Sequence, residues 1–210
     1  MALILFDFDG VLADTLGDLL QFGQEVCNEL GIKHVATTDD LDSLEIMSFA
    51  TYGRQLEVPE HLVDEFVSGC MARFIQKPHP PKIFDGMAQV IEELSAHHTI
   101  GIVTGNATRA VENFLLENGI RQCVSAIFAL DQPGSKSEKI LRAKGQLAGN
   151  TKDFYYAGDA VSDIHAARET SVKSIAVSWG HQSLGRLVKA KPDYIVHSPK
   201  ELMEVIDRRL

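Results

Sequence analysis

Short apolar segments alternate with helix-length segments from residue 86 to the C-terminal end, and this alternation limits the possible folds most strongly. The predicted strands are residues 2–8, 99–103, 124–130, 154–157, 174–177 and 194–196. The predicted helices are residues 86–96, 108–118, 137–147, 162–170, 184–190 and 200–208. Parallel strands joined through helices make right-handed crossovers, which cover both faces of the sheet. The pattern therefore predicts an α/β protein with a parallel sheet.

Residues 16–77 interrupt this alternation after the first strand. Apolar side chains recur there at helical spacing, as at Leu19, Phe22, Val26 and Leu30, and we find no convincing strand pattern. The proline-rich segment 78–81 closes the interruption, as a stiff linker would. We expect a Rossmann-like core made of residues 1–15 and 78–210, with an all-helical domain, residues 16–77, inserted into it.

Composition and charge narrow the possible partners and the location. Twenty Lys and Arg against 29 Asp and Glu give a net charge of -9, which disfavours nucleic acid and anionic membranes as partners. The three cysteines lie far apart without Cys-x-x-Cys pairing, so neither a disulfide framework nor a zinc site is predicted. The apolar start is short and runs into acids, and no segment approaches the roughly 20 apolar residues of a membrane helix. We therefore expect a cytoplasmic protein without a signal peptide.

Side chains that could bind ligands or take part in catalysis follow four of the predicted strands. In chain order they are Asp7 and Asp9, then Thr104, Gly105 and Asn106, then Lys136, and finally Asp159 with Asp163. In an open parallel sheet, ligands bind beyond the carboxyl ends of the strands. We expect these side chains to converge on one site at that edge of the sheet.

The acids in this set predict a metal site. Close carboxylates repel one another and are costly to desolvate, so such a group persists most easily beside a cation. Carboxylate oxygens are ligands that Mg²⁺ prefers, which makes Asp7, Asp9, Asp159 and Asp163 candidate Mg²⁺ ligands. The structural alternative is a turn at Asp9 and Gly10 and a helix N-cap at Asp159. The four acids taken together favour the metal.

Two further groups suit a phosphate. Thr104 offers a hydroxyl where backbone N–H groups at a helix start bind anions, although it could instead be an N-cap. Lys136 offers a compact positive charge for a phosphate and a carboxylate, although it could be a surface lysine beside Lys139. Together with the acids they predict phosphoryl transfer, with one carboxylate as nucleophile and a second as general acid and base.

These motifs, in this order, resemble those of the haloacid dehalogenase superfamily. The four segments are Asp7-x-Asp9-Gly10-Val11-Leu12-x-Asp14-Thr15, Thr104-Gly105-Asn106, Lys136 and Gly158-Asp159-x-x-x-Asp163. The insertion resembles that superfamily's helical cap of the first type (C1). Residues 177–181 and 191–202 are similar to phosphoglycolate-phosphatase-like members.

The resemblance implies a Mg²⁺-dependent phosphatase that hydrolyses a small phosphomonoester, phosphoglycolate-like, through an aspartyl-phosphate. It implies that Asp7 is the nucleophile and a metal ligand, and that Asp9 is the general acid and base, with its backbone carbonyl on the metal. Lys136 would orient Asp7, and Asp159 and Asp163 would lie at the metal. The phosphate would be bound by Thr104, Gly105 and Asn106. Many relatives have a Lys-Pro pair at the third motif, whereas Ser137 follows Lys136 here and leaves Lys139 as a rival. The Asp-x-Asp form favours phosphate esters over halides.

Several alternatives stay open. One alternative function is that of a phosphomutase of the same superfamily, which also uses both acids and a cap. Another is that of a non-catalytic phosphate-binding or signalling module. Arg54, between two helices of the insertion, could bind a substrate carboxylate or a second phosphate, or could be solvated. The segment Trp179-Gly180-His181 follows the carboxyl end of a predicted strand and could line the entrance to the site, although Trp179 could instead pack against the last helices. The sequence is compatible with a monomer or a homodimer.

Overall fold

The computed structural model describes residues 1–207. Its strands are β1 (Leu3–Phe6), β2 (Ala13–Asp14), β3 (Lys82–Ile83), β4 (Thr99–Val103), β5 (Ala126–Phe128), β6 (Phe154–Gly158), β7 (Lys173–Val177) and β8 (Tyr194–Val196). Its helices are α1 (Leu16–Glu29), α2 (Thr38–Asp42), α3 (Phe49–Gln55), α4 (Val63–Gln76), α5 (Met87–Ser95), α6 (Thr108–Glu117), α7 (Lys136–Leu147), α8 (Val161–Glu169), α9 (Leu184–Ala190) and α10 (Pro199–Asp207). Within residues 1–207 no helix is both long and apolar enough to cross a membrane.

Six parallel strands form one sheet in the order β5-β4-β1-β6-β7-β8. The predicted α/β fold with a Rossmann-like parallel sheet is therefore confirmed. β1 lies between β4 and β6, and its last residue, Phe6, is in register with Ile102 and Ala157. Because the three neighbouring strands end almost level, the loops that follow them leave the sheet side by side.

The sheet is apolar on both faces, which explains why its strands show continuous apolar sequence. All four residues of β1 are buried. Alternate side chains point to opposite faces, so Ile4 and Phe6 belong to one hydrophobic cluster while Leu3 and Leu5 belong to another. Burying one such side chain is worth about 1.5–3 kcal/mol, so both clusters contribute strongly to the stability of the sheet.

Several predicted boundaries differ from the observed ones, and the largest differences are in β1 and β5. β1 ends at Phe6 rather than at residue 8, because the buried Phe8 already turns and its carbonyl accepts hydrogen bonds from the amides of Leu12 and Ala13. β5 is shorter than the predicted strand 124–130: it begins at Ala126, after a 3₁₀ turn at Arg121–Cys123, and it ends at Phe128. The last helix begins at Pro199, and its predicted final residue, Arg208, lies outside the described residues.

A two-residue antiparallel pair, β2 with β3, was not predicted. Ala13 pairs with Ile83 and Asp14 with Lys82. Strands of two residues are too short to show an alternating pattern. This pair joins the chain just before the helical insertion to the chain just after it.

The chain divides into two compact units. The core unit contains Met1–Asp14 and the chain from Pro80 onward, and the inserted unit is Thr15–His79. The sheet belongs to the core unit, whereas α1 to α4 form the inserted unit around a hydrophobic cluster of its own. Within that cluster the rings of Tyr52 and Phe66 meet edge to face with centroids 6.0 Å apart. The functional role of each unit stays a prediction.

The short helix α2 in the inserted unit begins with a capping box. The Asp40 carboxylate accepts hydrogen bonds from the backbone N–H of Thr37, at 2.8 Å, and from its hydroxyl, at 2.7 Å. Its other oxygen lies 3.1 Å from Nε2 of His34. Burial alone would raise the pKa of Asp40, but the hydrogen bonds outweigh burial and hold the pKa below its ordinary value. Ionised Asp40 therefore stabilises the folded state.

Candidate active site

The loop after β1 brings Asp7 to the carboxyl edge of the sheet. The backbone N–H of Asp7 still bonds to the carbonyl of Ala157, at 2.8 Å, so the strand pairing positions this residue directly. The chain then turns at Gly10, which has a φ of +73°. A Cβ at Gly10 would also lie only 2.0 Å from Oδ2 of Asp159. Both the backbone angle and this close approach require glycine here.

Lys136 contacts two of the buried acids. Its Nζ lies 2.6 Å from Oδ2 of Asp7 and 2.5 Å from Oδ1 of Asp163. Burial would lower the pKa of Lys136, but the charges of Asp163 and Asp7 outweigh burial and raise it well above the ordinary value. Lys136 is therefore a fixed cation between two carboxylates.

The position of Lys136 in the fold corrects its predicted place in a loop. It is the first residue of α7, which begins at the N-cap Ser135 with Glu138 completing a capping box. The Ser-x-x-Glu spacing was a signal in the sequence that could have placed this helix start. The rival Lys139 lies one turn further along α7 and is buried, and burial together with Lys136 lowers its pKa.

Asp163 combines a structural and an electrostatic role in the loop after β6. Its Oδ2 accepts hydrogen bonds from the backbone N–H of Asp159, at 3.1 Å, and of Ala160, at 3.0 Å. The capping interaction that we considered for Asp159 is thus made by Asp163, the third residue of α8. Gly158 makes this possible, since a Cβ there would lie 2.3 Å from the Cβ of Asp163.

Asp7, Asp159 and Asp163, which we call the acid trio, are buried and close together. Each offers a carboxylate oxygen, and these three oxygens lie within 4.8 Å of one another. Burial, together with the charges of the other two acids and against the effect of Lys136, raises the pKa of Asp163 to about 7. Burial is also the largest influence on Asp7, whose pKa is raised. Buried carboxylates that repel one another are stabilised by a nearby cation, and Mg²⁺ prefers oxygen ligands of this kind.

Asp9 lies outside the acid trio and faces the loop after β4. Both of its carboxylate oxygens lie 3.3 Å from Nδ2 of Asn106. Asn106 in turn donates its backbone N–H to Oγ1 of Thr104, at 3.0 Å. The structure therefore joins the first and second predicted motifs through a direct side-chain contact.

Thr104 is buried at the end of β4, where its hydroxyl closes a local turn. The helix N-cap alternative for Thr104 is wrong, because the N-cap of α6 is Ala107. The N-terminus of α6 is held instead by Asp131, which accepts hydrogen bonds from the N–H and the hydroxyl of Thr108. Gly105 has open space where a side chain would begin.

His181 lies after β7 and contacts Asp159. Sequence reasoning considered its segment for the entrance to the site but missed this contact. Its Nδ1 lies 3.1 Å from Oδ2 of Asp159, and its backbone N–H donates to the same oxygen at 2.7 Å. Burial would lower the pKa of His181, but Asp159, Asp9 and Asp7 raise it to about 9. The pKa of Asp159 moves down, because the charge and hydrogen bonds of His181 outweigh the effect of burial.

Trp179 packs inside the core unit. Its ring meets Phe84 edge to face, and its Nε1 donates to the carbonyl oxygen of Val11 at 3.3 Å. The ring contact is with Phe84 rather than with the last helices, and a place at the entrance to the site stays a prediction. No sequence pattern pointed to Phe84, which is distant along the chain.

Arg54 belongs to the inserted unit, within α3 rather than between two helices. Its guanidinium makes two hydrogen bonds to the carboxylate of Glu60, at 2.8 and 2.6 Å, and its side chain is 49% exposed. A pair this exposed contributes little to stability. Substrate binding by Arg54 stays a prediction.

Comparison with known proteins points to one family throughout. A family model described as haloacid dehalogenase-like hydrolase matches residues 4–177. A phosphoglycolate phosphatase from Synechococcus elongatus is 24% identical over 98% of this chain and 97% of its own length. An N-acetylmuramic acid 6-phosphate phosphatase from Pseudomonas aeruginosa is 25% identical over 99% and 95%. Among solved structures, a haloacid dehalogenase-like hydrolase from Streptococcus pneumoniae superposes with a TM-score of 0.85 at 22% identity, covering 99% of both chains.

Proposed function

This chain belongs to the haloacid dehalogenase-like hydrolases and is a phosphoric monoester hydrolase, and on that premise we propose how it works and on what. We propose that it is a Mg²⁺-dependent phosphatase that cleaves a small, phosphoglycolate-like phosphomonoester through an aspartyl-phosphate at Asp7. The observation that carries the proposal is the buried Asp7 carboxylate, held 2.6 Å from Nζ of Lys136 and within the acid trio.

In the first step, an oxygen of Asp7 attacks phosphorus and the bond from phosphorus to the ester oxygen breaks. Asp9 gives its proton to the departing oxygen, which leaves as an alcohol. Lys136 orients Asp7 and offsets negative charge as it develops on the phosphoryl group. The hydroxyl of Thr104 and the backbone N–H groups of the same loop are the proposed donors to the phosphate oxygens.

In the second step, water attacks the phosphorus of the aspartyl-phosphate while the Asp9 carboxylate takes its proton. The bond from phosphorus to the Asp7 oxygen breaks, which releases inorganic phosphate and restores the Asp7 carboxylate. The acid trio, with the backbone carbonyl of Asp9, would hold Mg²⁺. When bound, this ion supplies positive charge that offsets the carboxylates and the phosphate dianion.

The proposed substrate class is supported by the relatives and by the chemistry of the site. The compared relatives are named phosphoglycolate phosphatase and N-acetylmuramic acid 6-phosphate phosphatase. The substrate in each name is a small, anionic phosphomonoester. An acid at position 9 is needed to protonate an alkoxide, whereas a halide would need no proton. These arguments favour a phosphate ester as substrate. The phosphate-release screen described next identifies the organic group of that ester.

The test is a phosphate-release screen with Mg²⁺, comparing wild type with Asp7→Asn and with Asp39→Asn as a control at an exposed acid. The panel contains 2-phosphoglycolate, N-acetylmuramic acid 6-phosphate, sugar phosphates, nucleoside monophosphates, pyrophosphate and an aryl phosphate. We expect Asp7→Asn to lose at least about a thousandfold in kcat, because it removes the nucleophile, and Asp39→Asn to match wild type. Turnover retained by Asp7→Asn would contradict the mechanism. Isomerisation of a sugar phosphate without phosphate release would favour the mutase.

A further inference from the structure

The segment 179–182, which follows β7, touches both loops that carry the acids. Trp179 bonds to the carbonyl of Val11 in the first loop, and the side-chain carbonyl of Gln182 accepts the backbone N–H of Val161, at 2.7 Å, where α8 begins. Between them, Gly180 packs so closely that a Cβ would lie 2.2 Å from the Cβ of Asp159. This segment supplies none of the groups used in the mechanism above, yet it is in direct contact with Asp159.

The Asp159 carboxylate is held on one oxygen by a single residue. Oδ2 accepts the backbone N–H of His181 at 2.7 Å and lies 3.1 Å from its Nδ1. The two side chains are 3% and 2% exposed, so water does not compete strongly for these contacts. A carboxylate oxygen has two lone pairs, and both on Oδ2 are thus used by His181. Oδ1 is then the oxygen of Asp159 that is left to bind a cation.

We propose that His181 is a positioning residue for Asp159, whose Nδ1–H and backbone N–H hold Oδ2 so that Oδ1 faces the Mg²⁺ site. The inference rests on the proposed function, because it takes Asp159 to be a Mg²⁺ ligand. Groups that hydrogen-bond to a metal ligand orient it, and their loss weakens metal binding about 10–100-fold. The side-chain contact of His181 with Asp159 has the geometry for that role.

A competing role for the same imidazole makes the opposite prediction. If His181 served chiefly as a cation that balances the acid trio in place of the metal, its removal would strengthen Mg²⁺ binding. The positioning role predicts weaker binding instead. The sign of the change therefore separates the two roles.

The experiment measures binding of Mg²⁺ alone by isothermal titration calorimetry, without substrate. His181→Leu removes the side-chain donor and keeps the backbone N–H, while His181→Asn places an amide donor near the position of Nδ1. His98→Leu is the matched control, because His98 is also buried in the core unit but its Nδ1 accepts the backbone N–H of Ala2. We expect about 10–100-fold weaker binding for His181→Leu, substantial recovery for His181→Asn and no change for His98→Leu.

A second comparison covers the case in which His181→Leu does not fold. His181→Gln carries the same amide as His181→Asn one bond further from the backbone, so its donor misses the position of Nδ1. We expect His181→Asn to bind Mg²⁺ more tightly than His181→Gln, with both variants giving a folded circular dichroism spectrum.

The outcomes also separate this inference from the function on which it rests. Unchanged or tighter binding by His181→Leu, or equal binding by His181→Asn and His181→Gln, would overturn the positioning role. Absence of Mg²⁺ binding by wild type would instead overturn the magnesium part of the proposed function, and the role of His181 with it.

Discussion

At the scale of single residues, Lys136 is the side chain on which the balance of charge around Asp7 depends. It contacts Asp7 and Asp163 at once, and its charge lowers the pKa of both acids against the effect of burial. Removing one partner from a buried ion pair leaves an uncompensated charge, which is strongly unfavourable. The acids would respond by binding protons at a higher pH.

We therefore expect Lys136→Met to lower kcat/KM at least about a hundredfold at neutral pH. In the proposed mechanism Asp7 attacks in its ionised form. Losing Lys136 would raise the pKa of Asp7, so the rising limb of the pH profile should move to higher pH. Lys139→Met is the matched control on the same helix and should leave the profile in place. The pH dependence of kcat/KM checks both variants, and an unshifted profile for Lys136→Met would contradict the argument.

Residue-scale prediction from the sequence was strongest for groups at the ends of apolar strands. Asp7 and Asp159 follow β1 and β6 directly, so sheet register alone brings them near one another. His181 was not predictable in this way, because its contact with Asp159 depends on the close approach of Gly10 and Gly180 from distant parts of the chain. The catalytic and metal-binding roles of the acids stay predictions.

At the scale of secondary-structure elements, the short helix α2 shows how much one cap contributes. Its five residues make few internal hydrogen bonds, so the first turn depends on Thr37 and Asp40. Asp40 stabilises the fold as a carboxylate, because its pKa is lower folded than its ordinary value. The contribution is present above the ordinary pKa and is lost as the pH falls through the folded pKa.

We expect Asp40→Asn to reduce the free energy of unfolding by about 1–2 kcal/mol near neutral pH. The difference from wild type should shrink as the pH falls from about 5 toward about 3, since wild type then loses the same charge. Urea denaturation at several pH values measures this difference. Asp39→Asn, at the exposed neighbour, should show no comparable loss, and a gap that stayed constant with pH would contradict the proposed role of the charge.

Element boundaries were predicted well where a helix or strand had a clear apolar period. β4, α9 and β8 have the predicted residues throughout. The pair β2 and β3 was missed, because two residues carry no period and their pairing joins positions about 70 residues apart in the chain. Prediction of element boundaries from the sequence thus fails where pairing between distant residues, rather than the local pattern, determines the structure.

At the scale of the whole molecule, the excess of negative charge and the buried acid trio lead us to expect that a divalent cation stabilises the fold. The chain carries a net charge of -9, and three of its acids are buried together. A ligand that binds only the folded state stabilises it by about 2.7 kcal/mol at a hundred times its Kd.

We expect Mg²⁺ to raise the Tm of the wild type and EDTA to return it to the metal-free value. Asp159→Asn should show little of this response, because it removes one member of the acid trio. Differential scanning calorimetry at constant ionic strength, with added NaCl as the control, separates binding from general screening. An equal rise in wild type and Asp159→Asn would place the cation elsewhere. Phosphatase activity should disappear with EDTA and return with Mg²⁺.

The pairing of β2 with β3 has a consequence for how chains of this kind diversify. It brings the two ends of the inserted segment side by side through contacts that belong to the core unit. Loop closure at this point is already made by the core, so a segment of another length or sequence can be exchanged here at little entropic cost. We therefore expect that the segment between β2 and β3 can be replaced by another module while the loops that carry the acids keep their positions.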